Sequence, residues 1–197
     1  VDLAIFTLPA AGVHEAMAAC VRRKVGCAVI FASGFAEVGK RDSQNELADI
    51  ASKGGVALLG PNCLGYANSV DGLGINFVRA APQPKIEIGR DPAVAIISQS
   101  GGLMSHIRLG LEARNVQVSY SVSTGNEAGL NLADFVDFFT ADKATDAIIV
   151  YVEQVRQPAE FLAAAERARA AGKPILMMHP GRGERAKTAV NSHTGAL

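Results

Sequence analysis

The feature that most constrains the fold is a repeating change of period, in which short apolar runs alternate with longer amphipathic stretches. The runs at 3–7, 28–31, 56–59, 93–97, 116–122, 147–152 and 175–178 are too short for helices and rich in Val, Ile and Leu. Runs of this kind read as strands buried on both faces. Between them, 13–23, 44–53, 103–114, 131–139 and 158–171 carry helical spacing. Asp42 or Ser43 can cap a helix start, and Gly54, Gly110 and Gly172 lie at or near helix ends. Strands alternating with helices specify an α/β fold built on a parallel sheet.

Composition agrees and narrows the function classes. The chain is 49% hydrophobic but only 6% aromatic, which suits small-residue strands and Ala-rich helices. Nineteen cationic and nineteen anionic side chains give zero net charge without a basic stripe, so neither nucleic acid nor an acidic membrane surface is expected as a partner. No apolar run approaches the ~18–20 residues needed to span a bilayer. Cys20, Cys27 and Cys63 are an odd number without metal-ligand spacing, and no His–His or His–Cys pair has it either, so no metal site is expected. A reduced, cytoplasmic setting is the simplest expectation. The chain opens at Val1 directly on an apolar run, which reads as a fragment of something longer.

From Tyr66 to Asp91 the rhythm breaks into Gly, Pro, Asn and isolated charges. Irregular stretches of that length often mark linkers. The expected division is 1–66 as the second part of a nucleotide-fold domain, 67–90 as a linker, and 91–197 as a flavodoxin-like domain.

In open α/β sheets ligands gather at the carboxyl edge of the strands. Four segments would meet there: Ser98-Gln99-Ser100-Gly101-Gly102, Ser123-Thr124-Gly125-Asn126-Glu127-Ala128-Gly129, Glu153, and the long segment ending in Asn191-Ser192-His193-Thr194-Gly195. Two Ser/Gly turns running into helices present unpaired N–H groups and a positive dipole end to an anion. Each turn alone could be ordinary helix capping; a pair on one edge favours a phosphate cradle. A neutral imidazole can attack phosphorus to give a phosphoramidate, if a carboxylate holds its other nitrogen. His193, with Glu153 as the carboxylate, fits that chemistry, although alone His193 would read as a surface histidine. His14 and His106 fall in expected helices, and His179 follows a strand. Cys63 has nothing nearby in sequence to activate it and reads as a small buried residue.

Five motifs in order carry a resemblance: Gly60-Pro61-Asn62-Cys63-Leu64-Gly65, Ile97-Ser98-Gln99-Ser100-Gly101-Gly102, Thr124-Gly125-Asn126-Glu127-Ala128, Val152-Glu153 and Ser192-His193-Thr194-Gly195-Ala196. Together they resemble the nucleoside-diphosphate-forming acyl-CoA synthetases, a family that includes the ADP-forming acetyl-CoA synthetases and the succinyl-CoA synthetase alpha subunit. The resemblance implies a partial Rossmann-like CoA-binding domain followed by a flavodoxin-like parallel α/β domain. It implies an acid–CoA ligase working through an acyl phosphate and a phosphohistidine, His193, oriented by Glu153. Ser98, Ser100, Gly101, Thr124, Gly125 and Asn126 would form the phosphate cradle, and Pro9, Ser33, Gly34 and Phe35 would touch CoA. ATP or ADP and Mg²⁺ would sit on an ATP-grasp domain or beta subunit outside this sequence, in an oligomer. The family's Gly-rich CoA-phosphate loop would lie ahead of Val1, and relatives continue beyond the point where this chain stops. Ser105 stands where succinate-using relatives carry Tyr, which argues against succinate as the acid. The alternatives are a CoA-sensing domain of an acetyltransferase, against which Glu153 and His193 both argue, and a generic FMN or NAD binder. The second lacks any Gly-x-Gly-x-x-Gly after a strand.

Overall fold

The computed structural model describes residues 1–77 and 85–180. His193 therefore lies outside the described residues. The first part is a three-stranded parallel sheet of β1 (Leu3–Phe6), β2 (Cys27–Ile30) and β3 (Ala57–Leu59), joined by α1 (Ala10–Arg22) and α2 (Arg41–Lys53). One face of each helix supplies its core: Val13 and Met17 from α1, Leu47 and Ala51 from α2, packed on Ile30 and Leu58. These positions are three or four residues apart, the spacing that puts side chains on one helical face.

The second part is a six-stranded sheet in the order β5-β4-β7-β6-β8-β9. Its parallel core is β6 (Ala93–Ser98), β7 (Gln117–Ser123), β8 (Ala147–Tyr151) and β9 (Ile175–Met178). The helices are α3 (Gly101–Glu112), α4 (Leu132–Ala141) and α5 (Pro158–Ala170). The α/β class and the parallel, helix-covered core are as the alternating pattern required.

The segment expected as a linker holds more structure than its composition suggested. β4 (Gly65–Asn68) and β5 (Leu73–Asn76) form a hairpin that pairs antiparallel with β7 and extends the second sheet. The turn is closed locally, because the Asn68 side-chain oxygen accepts from the backbone N–H groups of Val70 and Asp71 at 3.0 Å each. Asn at such a position builds its own turn. The strands are short and half-exposed, so no run of apolar residues marks them.

β6 lies between β7 and β8, and the chain leaves it first toward one and later toward the other. The carboxyl end of β6 is therefore the topological switch point, where a crevice opens in this architecture. Residues of the first sheet, Val29, Leu59 and Cys63, pack into the same core as Ile97, Val122, Val136 and Val150. The first part thus sits against the ligand edge of the second.

Candidate functional site

The turn after β6 occupies the switch point. Ser98 is fully buried and its hydroxyl donates to the Ser100 carbonyl at 2.6 Å. Ser100 is the N-cap of α3, and Gly101 is that helix's first residue. A Cβ on Gly101 would lie 2.2 Å from Leu64 Cγ, so glycine here lets the helix start press against the loop from the first sheet. Thr124 adjoins this turn, since its backbone N–H donates to the Ser98 carbonyl at 2.9 Å.

The second turn differs from its expected form. α4 begins only at Leu132, and Asn131 closes a capping box on it, accepting from Ala133 and Asp134 N–H. The helix thus satisfies its own first-turn donors, and residues 124–129 reach the edge as a loop rather than a helix start. That loop is stitched to Gly60–Leu64: Asn126 N–H donates to Pro61 O at 2.9 Å and Ala128 N–H to Gly60 O at 3.0 Å. Gly125 has φ +59°, and a Cβ there would lie 2.3 Å from Pro61 O. Asn126 is buried, and its amide donates to Glu37 Oε2 at 2.5 Å and Gln44 Oε1 at 2.9 Å. Asn62 Nδ2 donates to its oxygen at 3.2 Å. Asn126 and Gly125 therefore hold the two halves together.

Gln99 has a role that sequence reasoning missed. Its Oε1 accepts from the backbone N–H of Glu153 at 2.7 Å and of Gln154 at 3.0 Å. Its Nε2 donates to Glu127 Oε1 at 3.0 Å and to Gln154 O at 2.8 Å. One side chain thereby ties together the ends of β6, β7 and β8 and fixes the backbone of the buried Glu153. The only hint in the sequence was a polar residue inside a turn of small ones.

Glu127, also unselected, is the most perturbed acid of the site. Burial pushes its carboxyl up to about 7, against the opposing pull of hydrogen bonds from Gln99 and Thr124 and of the Arg156 charge. Thr124 Oγ1 donates to it at 2.9 Å. Glu37 goes the other way. Burial alone would raise it, but hydrogen bonds from Gly34, Asn126 and Phe35 bring it below the ordinary carboxylate value.

A cleft of about 580 Å³ runs between the two halves. Thr7, Leu8, Pro9 and Ser33 line it from the first sheet, Asn62, Cys63 and Leu64 from the connecting loop, and Gln99, Gly101 and Gly102 from the switch point. Of the four residues expected to touch CoA, Pro9 and Ser33 border the cleft. Phe35 is instead buried in the first core, and Gly34, at φ +111°, gives its N–H to Glu37. Cys63 is buried and donates to Ile30 O at 3.3 Å, and burial raises its thiol to about 12, as befits an inert packing residue.

This arrangement defines a class: a doubly wound α/β protein whose switch point opens onto a cleft shared with a second parallel sheet. Comparison with known proteins then gives the family. The model of the succinyl-CoA ligase like flavodoxin domain matches residues 91–197, and the chain belongs to that family. The trans-feruloyl-CoA synthase FCS1 of an unknown prokaryotic organism is 41% identical, with 100% of this chain and 28% of that protein covered. Acetate–CoA ligase (ADP-forming) I of Archaeoglobus fulgidus is 37% identical, again with 100% of this chain and 28% of the relative. The solved structure of the Ca. Korarchaeum cryptofilum dinucleotide forming acetyl-coenzyme A synthetase 1, in complex with phosphate and ADP, superposes with a TM-score of 0.87 at 34% identity. That match covers 100% of this chain and 41% of the other. The chain spans less than a third of the two curated relatives.

Proposed function

We propose that this chain is the CoA-handling and phosphohistidine part of a nucleoside-diphosphate-forming acid–CoA ligase. The observation that carries the reading is the cleft that places Pro9 and Ser33 opposite Gln99, Gly101 and Gly102. Such a cleft can bring a thiol lying along the first sheet to a phosphate held at the start of α3. In the acyl-CoA-forming direction, His193 takes the γ-phosphoryl group of ATP and releases ADP. The carboxylate of the acid then takes the phosphoryl group, and the CoA sulfur displaces inorganic phosphate from the acyl phosphate, leaving a thioester.

Each residue's role follows from its chemistry. Ser98, Ser100 and Gly101 form the cradle at the helix start, where N–H groups and the helix dipole favour negative charge. Thr124 closes it from the neighbouring loop, which Gly125 and Asn126 hold in place. Glu153 orients the His193 ring for phosphoryl transfer, and Gln99 holds Glu153 at the strand end. Nucleotide and Mg²⁺ belong to an ATP-grasp domain or a beta subunit. The reaction is cytoplasmic, the assembly is an oligomer, and neither nucleic acid nor membrane takes part; no helix among the described residues is long and apolar enough to cross a bilayer.

The acid is a carboxylic acid other than succinate, and the named relatives span acetate and feruloyl chemistry. Those relatives are synthases and ligases, which favours an enzyme over a CoA-sensing domain. The test is thioester formation by the intact protein, with its partner subunit if separate, supplied with ATP, Mg²⁺, CoA and either acetate or ferulate. The expected products are acyl-CoA and ADP in equal amounts. AMP and pyrophosphate, or CoA binding without turnover of any acid, would overturn the reading.

A further inference from the structure

A second concavity, of about 250 Å³, lies away from the CoA cleft, between α2 and the loop after β7. Arg41, Gln44, Asn45 and Ala48 line it from one face of α2, with Glu127, Ala128 and Arg156 opposite. We infer that this pocket is a binding site for a small oxyanion, a carboxylate or phosphate group, held by Arg156 and Arg41 with the amides of Gln44 and Asn45.

Three observations carry the inference. First, the Arg156 Nε is buried and meets no acceptor among the described residues. A buried guanidinium donor without an acceptor is costly, and an oxyanion is the ligand that its fork geometry matches. Second, the pocket brings two guanidinium groups together, and burial and the nearby Arg41 both disfavour the Arg156 charge, against the favourable charges of Glu127 and Glu153. A bound anion relieves both effects. Third, the polar lining is organised before any ligand arrives. Gln44 is buried and its Oε1 accepts from Asn126 Nδ2 and from Ala36 N–H, at 2.9 and 3.3 Å. Its amide hydrogens are then the donors that it can offer.

Glu127 is the one acid in the lining, and burial raises it to about 7. Even fully ionised it faces two guanidinium groups, so the pocket keeps a positive balance. The same residue hydrogen-bonds Gln99 and Thr124 at the switch point, so occupancy here would be felt at the phosphate cradle.

The test is calorimetric titration of the intact protein, saturated with CoA, with inorganic phosphate and separately with acetate. At least one of the two should bind the wild type in a way that R156Q weakens tenfold or more. R156K should retain part of the affinity. A48E, which puts a carboxylate on the α2 wall, should lose the site without touching Arg156. CoA affinity, measured on every variant, should stay unchanged and reports folding. Phosphate binding alone identifies a phosphate site, and acetate binding alone a carboxylate site; either sustains the proposal. Wild-type anion affinity in R156Q or in A48E would overturn it, as would absence of binding of both anions at millimolar concentration. Because His193 is not involved, these results are separate from the success or failure of the phosphohistidine reading.

Discussion

Replacing Glu127 with Gln should make the protein more stable above neutral pH while leaving it nearly unchanged in acid. The buried carboxyl titrates at about 7, against an ordinary value of 4.5. Between those values the folded state keeps a proton that the unfolded chain has lost. The folded value is the higher one, so the contribution is fully present below 4.5 and disappears as pH rises through about 7. At ~1.4 kcal/mol per pH unit, the interval amounts to about 3 kcal/mol. Gln is neutral throughout, and its side-chain oxygen can accept the same hydrogen bonds from Gln99 and Thr124. Urea unfolding of the intact protein at pH 5, 6, 7 and 8 measures the effect. The wild-type midpoint should fall across the series relative to E127Q, and E127Q should be the more stable of the two at pH 8. Parallel curves, or an E127Q protein destabilised at pH 8, would refute the burial argument.

Two further substitutions probe the seam between the halves. Asn126→Ala removes the donor shared by Glu37 and Gln44 and should cost ~1–3 kcal/mol in unfolding experiments. It should also shrink the acid-side loss of stability, because the hydrogen bonds that hold Glu37 below its ordinary value are reduced; an unchanged acid limb would count against this account. Gly125→Ala puts a Cβ 2.3 Å from Pro61 O and 2.5 Å from Asn62 O at a positive φ. It should destabilise by at least ~1–3 kcal/mol, and wild-type stability would show that the loops are not pressed together.

Much of this architecture can be read directly from the residues, and the exceptions have physical causes. The runs that became β6 and β8 are apolar on both faces, so burial wrote them plainly into the composition. β4 and β5 were missed because an edge hairpin needs only alternate burial, and Gly65 and Gly74 diluted even that. Ser100 and Gly101 were legible as a helix start because capping is local. The Thr124 turn misled, since α4 takes its cap from Asn131, seven residues further on. Gln99 and Arg156 could not be singled out, because their importance comes from partners at the ends of other strands. The same holds for Glu127, whose perturbation is a consequence of tertiary burial.

The central claim is that this chain carries a phosphoryl group on His193 beside Glu153. The most direct measurement incubates the intact protein, with its nucleotide-binding partner, with γ-labelled ATP and Mg²⁺, and compares wild type with H193A and E153Q. The account predicts acid-labile, base-stable label on the wild type, none on H193A, and slowed labelling of E153Q with CoA affinity nearly unchanged. Equal labelling of wild type and H193A would contradict it.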